Sequence, residues 1–226
     1  MRIKKAKRVN LERLAKDKEV IALINSADKQ LEMIGYTEHG LRHARLVAER
    51  SYYILKKLGY DERRAELAAI TGFLHDIGNV VNRDKHEHMS AILAYQILKR
   101  MKMPYYEILE IVSALGNHHE EDGTPISEIS AALIIADKSD VHRTRVRNPE
   151  FVKFDIHDRV NYAVTRSILT VDNIKKKIIF DLEIDTKIAP VMEYFEIFLN
   201  RMIMARRASH FLGCEFELYI NQTKLI

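Results

Sequence analysis

Apolar residues recur at three- and four-residue steps through most of the first two-thirds of the chain, the period of helices with one buried face. Leu41, Ala44, Val47, Ala48, Ser51, Ile54, Leu55 and Leu58 form one such stripe, and Gly59 supplies a C-terminal stop. Asp61 is placed to open a second helix through Ala65, Leu67, Ala68, Ile70 and Leu74. Further helical patterns run from about Glu87 to Met101, from about Tyr105 to Leu115 and from about Ile126 to Asp140. Gly78, Pro104, Gly123 and Pro125 separate them.

The pattern changes after Asn148-Pro149. Val160-Tyr162-Val164 and Ile168-Thr170 alternate, Val171-Asp172-Asn173 has turn composition, and Lys177 to Ile184 is rich in β-branched residues, which together predict a hairpin. A long amphipathic helix is expected from Asp185-Thr186 through Met192, Phe195, Phe198, Met202 and Met204 to near Gly213. Its methionine and aromatic stripe reads as core packed against the hairpin. Phe216-Leu218-Ile220 alternates again as a closing strand. The expected fold is mainly α: a helical domain over residues 1–149, then a small α+β unit over 150–226. Dimerisation or service as a substrate lid are the duties open to that unit.

Composition narrows the class. With 226 residues, 47% hydrophobic and 30% charged, the chain can bury a core and is not of disordered type. The basic opening Met1–Arg8 is followed by no apolar run, so it does not read as a secretory signal. No stretch of about 18 apolar residues predicts a membrane span. The single cysteine, Cys214, excludes an intramolecular disulfide, points to the cytoplasm and reads as a small core residue. A net charge of +4 is spread along the chain without interleaved aromatics, which argues against a dedicated RNA surface.

Histidine placement carries the chemistry. Seven of the ten histidines lie between residues 39 and 119, and the dipeptide His75-Asp76 sits among them. Histidine is the commonest metal ligand. His39 and His43, four apart, share one helix face. Asp137 lies inside the apolar run Leu133-Ile134-Ile135-Ala136, where a carboxylate is costly to bury unless a cation pairs with it. His88, His142, His157 and His210 read more simply as ordinary hydrogen-bonded residues.

The order His43, His75-Asp76, His86, His118-His119, Asp137 resembles the HD superfamily of metal-dependent phosphohydrolases. The stretches around His43, His75-Asp76-Ile77-Gly78 and Ile134-Ile135-Ala136-Asp137-Lys138 carry the likeness, over roughly residues 36–145. It implies a phosphoester substrate, a nucleotide or phosphodiester, cleaved by metal-activated water. It further implies that His43, His75, Asp76 and Asp137 hold one divalent ion, and that Asp76, His86 and His118, with His119 as an additional ligand, hold a second. Fe, Mn, Co, Ni, Zn and Mg are the candidates. Residues 86–93 and 118–120 also resemble the HD-GYP subgroup, but Asp122-Gly123-Thr124-Pro125 stands in place of its Gly-Tyr-Pro element. His39 matches the proton-donating histidine of cyclic nucleotide phosphodiesterases, against a structural or ligand role. Lys138, Arg42, His142 and Arg143 are candidate phosphate contacts, against a solvated basic face; Lys138 and Asp76 join His39 as candidate catalytic residues. Two other classes fit the same residues. One is a mixed-valent di-iron oxygenase, since myo-inositol oxygenase resembles this ligand set. The other is a non-catalytic nucleotide or RNA sensor that keeps its metal for structure.

Overall fold

Side-chain caps set several helix starts before tertiary packing acts. In the computed structural model, which describes residues 8–152 and 154–226, Asn10, Asp17, Asp61, Ser127 and Asp155 each accept a hydrogen bond from an amide two or three residues on. They open α1 (Leu11–Leu14), α2 (Lys18–Met33), α4 (Glu62–Leu74), α7 (Glu128–Lys138) and α8 (Ile156–Ala163). Between these come α3 (Leu41–Lys57), α5 (His86–Arg100) and α6 (Tyr105–Gly116). Most of the basic opening, Met1–Lys7, lies outside the described residues.

Two helices are buried on almost every side. Every residue of α4 from Leu67 to Leu74 is buried, and so is every residue of α7 from Ile129 to Lys138. A helix apolar all round belongs in the middle of a bundle. Accordingly α4 and α7 pack on each other and share α3 and α6 as neighbours. This central placement is what carries His75, Asp76 and Asp137 into the interior at the helix ends.

The remainder is a four-stranded sheet of order β1 (Val164–Asp172), β2 (Lys177–Ile184), β3 (Glu215–Ile220), β4 (Thr223–Lys224). β1 and β2 form the expected hairpin, and β3 pairs parallel to β2 after a helical crossover. That crossover is α9 (Val191–Phe211). α9 packs on the sheet through β2 and β3 and on the helical part through α7. Phe198, Met202 and Met204 are buried there as the stripe predicts, whereas Met192 is exposed. Cys214 is buried.

Two expected boundaries are corrected. The alternation from Val160 is not strand: residues 156–163 are helical because Asp155 caps them and the helix buries Val160, Asn161 and Ala163. The long helix begins at Val191, not at Asp185-Thr186. Pro190 lacks an amide hydrogen and disfavours helical geometry in the residue before it, so residues 185–189 form turns instead. Among the described residues no helix is long and apolar enough to cross a membrane.

Candidate metal centre

The turn after α4 sets the centre. His75 is the last half-helical residue of α4, Asp76 follows, and a short 3-10 turn runs over Ile77–Val80. Gly78 donates its amide to Ser90 Oγ at 2.8 Å. A β-carbon at Gly78 would occupy the space of the His86 carbonyl and the Ser90 amide, so only glycine lets α5 approach this closely. Lys85, in the left-handed region at φ 56°, turns the chain directly into α5. The result brings His86 beside Asp76, with His86 Nε2 3.4 Å from Asp76 Oδ1.

α3, α4 and α7 supply the other side. His43 Nε2 and His75 Nε2 are 3.1 Å apart. Asp137 Oδ1 lies 3.4 Å from the first and 3.6 Å from the second. Asp76 Oδ2 lies 3.7 Å and 3.4 Å from the same two nitrogens. His118, at the end of α6, stands with its ring centroid 5.3 Å from that of His75 and 5.1 Å from that of His86. Three overlapping groups have ligand atoms within 4.8 Å of one another: His43, His75 and Asp76; His75, His118 and Asp137; Asp76, His86 and His118.

Tautomers follow from the partners of the other ring nitrogen. His75 Nδ1 donates to the Gly72 carbonyl at 2.8 Å, His118 Nδ1 to the Leu115 carbonyl at 2.6 Å, and His86 Nδ1 to the Arg83 carbonyl at 3.1 Å. His43 Nδ1 donates to the Asp140 carboxylate at 2.6 Å. Carbonyls and carboxylates can only accept, so each ring carries its Nδ1 proton outward and turns Nε2 inward, with Arg83 Nη1 at 3.4 Å from that of His86. Metal-binding histidines are held this way, by a second partner that fixes tautomer and orientation. Lone pairs from two imidazoles and two carboxylates facing one another within 4 Å call for a positive charge among them. A proton on His75 is one answer: burial opposes its charge, but Asp76 and Asp137 push the ring up to about 10. A divalent cation is the other, and the imidazole–carboxylate set fits one.

The surroundings are polarised to match. Burial works against ionising Asp76 and Asp137, yet His75 beside the first and Lys138 beside the second hold both well below the usual carboxylate range. Burial takes His118 well below the ordinary histidine value and His86 down to about 3, which keeps both rings neutral as ligands must be.

A cavity of about 760 Å³ adjoins the cluster. His39, Arg83, His119 and Arg145 line it from the helical part, and Asn161 and Arg201 from beyond residue 150. His119 lies at this mouth, its ring centroid 5.2 Å from that of His86, outside the three ligand groups.

Several expected roles change. His39 is buried, donates Nδ1–H to the Thr37 carbonyl at 2.7 Å and accepts from Arg145 at Nε2 at 2.8 Å. Burial and Arg145 hold it well below the ordinary histidine value, so it is neutral with no proton facing the cavity. Lys138 is buried between Asp137, at 2.6 Å, and Glu120, at 2.7 Å, and is not a free phosphate contact. Arg42 is engaged by Glu38 and Asp140 at 2.7 Å and 2.9 Å. His142 caps a short 3-10 turn, and Arg143 stacks over Tyr162 at 5.3 Å; neither lines the cavity. Sequence reading missed Arg201. An arginine among Phe198, Met202, Met204 and Ala205, all buried, is the available signal, since arginine is rarely buried without a partner.

Residues 40–142 match the family model described as HD domain. The match covers 103 of the 226 residues and includes the whole His/Asp cluster. The chain is 31% identical to the uncharacterized protein MJ1020 of Methanocaldococcus jannaschii, over 64% of this chain and 64% of that protein. It is 36% identical to ribonuclease Y of Lawsonia intracellularis, over 44% of this chain and 17% of that one. For ribonuclease Y of Mycoplasma mycoides subsp. mycoides SC the values are 32%, 56% and 23%. The match thus spans under two thirds of the first relative's length and under a quarter of either ribonuclease. The His/Asp clusters could hold a divalent metal ion.

Proposed function

We propose that the protein is a metal-dependent phosphohydrolase that cleaves a phosphoester, either a nucleotide or a phosphodiester. The carrying observation is Asp76, whose Oδ2 faces His43 and His75 while its Oδ1 faces His86, beside a cavity lined by arginines. In this reading His43, His75, Asp76 and Asp137 would hold one ion, and Asp76, His86 and His118 a second, with His119 beside His86 at the cavity mouth. Bound cations supply polarisation of the phosphoryl oxygen and acidification of a water.

The remaining steps belong to the chain's own residues. Asp140 orients His43 by accepting its Nδ1 proton. Lys138 holds Asp137 and offsets its charge. His39 accepts from Arg145 and so presents that guanidinium to the cavity. Arg83, stacked over Tyr36 with 5.3 Å to the ring centroid, is the nearest arginine to His86, at 3.4 Å from its Nε2, and is suited to orient a substrate phosphate. The ribonuclease Y relatives, which by name act on RNA, support a phosphodiester as the bond cleaved.

Elemental analysis of freshly purified protein, with a panel of nucleotides and phosphoesters under Fe, Mn, Co, Ni, Zn and Mg, tests this. The expected result is bound metal and phosphate or nucleotide release with at least one cation. Oxygen consumption without ester cleavage would replace it with the di-iron oxygenase reading.

A further inference from the structure

The cavity wall contributed from beyond residue 150 carries polar atoms that no described residue satisfies. Arg201 is a half-buried arginine of α9, its side chain 16% exposed. Its guanidinium lies over the Phe198 ring at 5.1 Å, a stacking that fixes the plane of the fork. Nε donates to Glu120 Oε1 at 3.2 Å, and among the described residues the terminal nitrogens meet no hydrogen-bond acceptor. Asn161, on α8, is 3% exposed. Its Nδ2 donates to the His157 carbonyl at 2.9 Å, which fixes the amide orientation and leaves Oδ1 buried without a partner. Buried polar atoms in this condition are uncommon in folded proteins. Both residues line the cavity beside the His/Asp cluster.

We infer that Arg201 and Asn161 form a second recognition subsite, in which Arg201 binds an anionic group and Asn161 accepts an N–H or O–H from the same ligand. The inference rests on the proposed function only in taking the cavity as the substrate chamber. A nucleotide with a phosphate other than the one at the cluster meets both demands, because its sugar or base provides the donor. Lys138 cannot serve the anion, being enclosed by Asp137 and Glu120. A terminal guanidinium edge held in plane matches two phosphate oxygens at once. Arg201 and Asn161 are therefore specificity-determining residues, and the chain beyond residue 150 completes the site of the HD domain.

The test uses the full chain as purified and calorimetric titration with AMP and with α,β-methylene-ADP, which resists cleavage between its phosphorus atoms. Arg201→Gln is expected to weaken α,β-methylene-ADP by about ten- to a hundredfold, the loss of one charged hydrogen-bonding partner, and AMP by much less. Asn161→Leu is expected to weaken both nucleotides by a similar factor. Arg201→Lys keeps the charge beside Glu120 and loses the fork, so its melting temperature should hold while α,β-methylene-ADP binds more weakly. The inference is overturned if Arg201→Lys or a folded Arg201→Gln binds α,β-methylene-ADP as the unmodified protein does, or if the unmodified protein binds neither nucleotide. Arg201-dependent binding in a protein that cleaves no ester would sink the hydrolase reading and leave this subsite standing. Ester cleavage with binding indifferent to Arg201 would do the reverse.

Discussion

The two sides of the cavity differ in how far their polar groups are already committed. On the cluster side, His43, His75, His86 and His118 each place Nδ1 on a fixed acceptor, and Asp137 is gripped by Lys138. Every ring is locked in one orientation with its Nε2 inward. On the opposite side, among the described residues, Arg201 has one acceptor for its five N–H groups and Asn161 leaves an oxygen bare. The contrast teaches that rigidity and vacancy are divided between two parts of the chain. Ligands for a cation must be held before the cation arrives, because their mutual repulsion has to be met by surrounding structure. Groups that select a substrate must instead stay unsatisfied until it binds.

The largest effect that could break this comparison is at its pivot. Asp76→Ala should reduce both metal content and ester cleavage to background, read by elemental analysis and phosphate release. An Asp76→Ala protein with normal metal and turnover would remove the bridging role assigned to that carboxylate. Gly78→Ala should come next, costing about 3 kcal/mol of stability through overpacking. The new methyl must push α5 away from the turn that carries Asp76, so thermal unfolding and metal content should fall together. Unchanged melting would show that the close approach of α5 is not required.

A smaller change probes how the rings are held. Asp140→Asn weakens the acceptor for His43 Nδ1 without emptying the space, and metal affinity should drop about 10- to 100-fold, measured by competition with a chelator. An unchanged affinity would mean that His43 is positioned by its helix alone. The smallest effect lies away from the cavity and serves as a contrast. Glu217 is paired with Lys177 and with Lys224, at 2.7 Å to the latter, and those lysines hold its carboxyl down at about 2. A carboxyl lowered on folding stabilises the protein above its unfolded value near 4.5, and that contribution disappears as pH falls from there to about 2. Glu217→Gln should thus cost about 1 kcal/mol near neutral pH, since both lysines remain partly in water, with the difference closing in acid and metal content untouched. A constant difference across that pH range would exclude the ion pairs as its cause.

How much of this could be read in advance varies with the residue. His43 follows from its helical stripe and its spacing from His39, and Asp137 from being a lone carboxylate in an apolar run. Both are local signals. Lys138 misleads because adjacency to Asp137 says nothing about the partner across the chain, and Glu120 encloses it from another segment. His39 misleads for the same reason, since Arg145 lies 106 positions away. The strand expected from Val160 fails because alternation over so few residues competes with the cap at Asp155, and the cap prevails.

Composition and periodicity were enough to determine a mainly helical chain with a β-containing end, and the order of histidines and acids was enough to mark a series that resembles the HD pattern. These are properties of short windows, where helix period and residue type act directly. Only the tertiary structure decided which nitrogen of each histidine is free, which cations are already paired, and that α9 lies between the sheet and α7 with Arg201 toward the cavity. Those outcomes depend on contacts between segments far apart in sequence, and the identity of a residue does not reveal the partner that packing will place beside it.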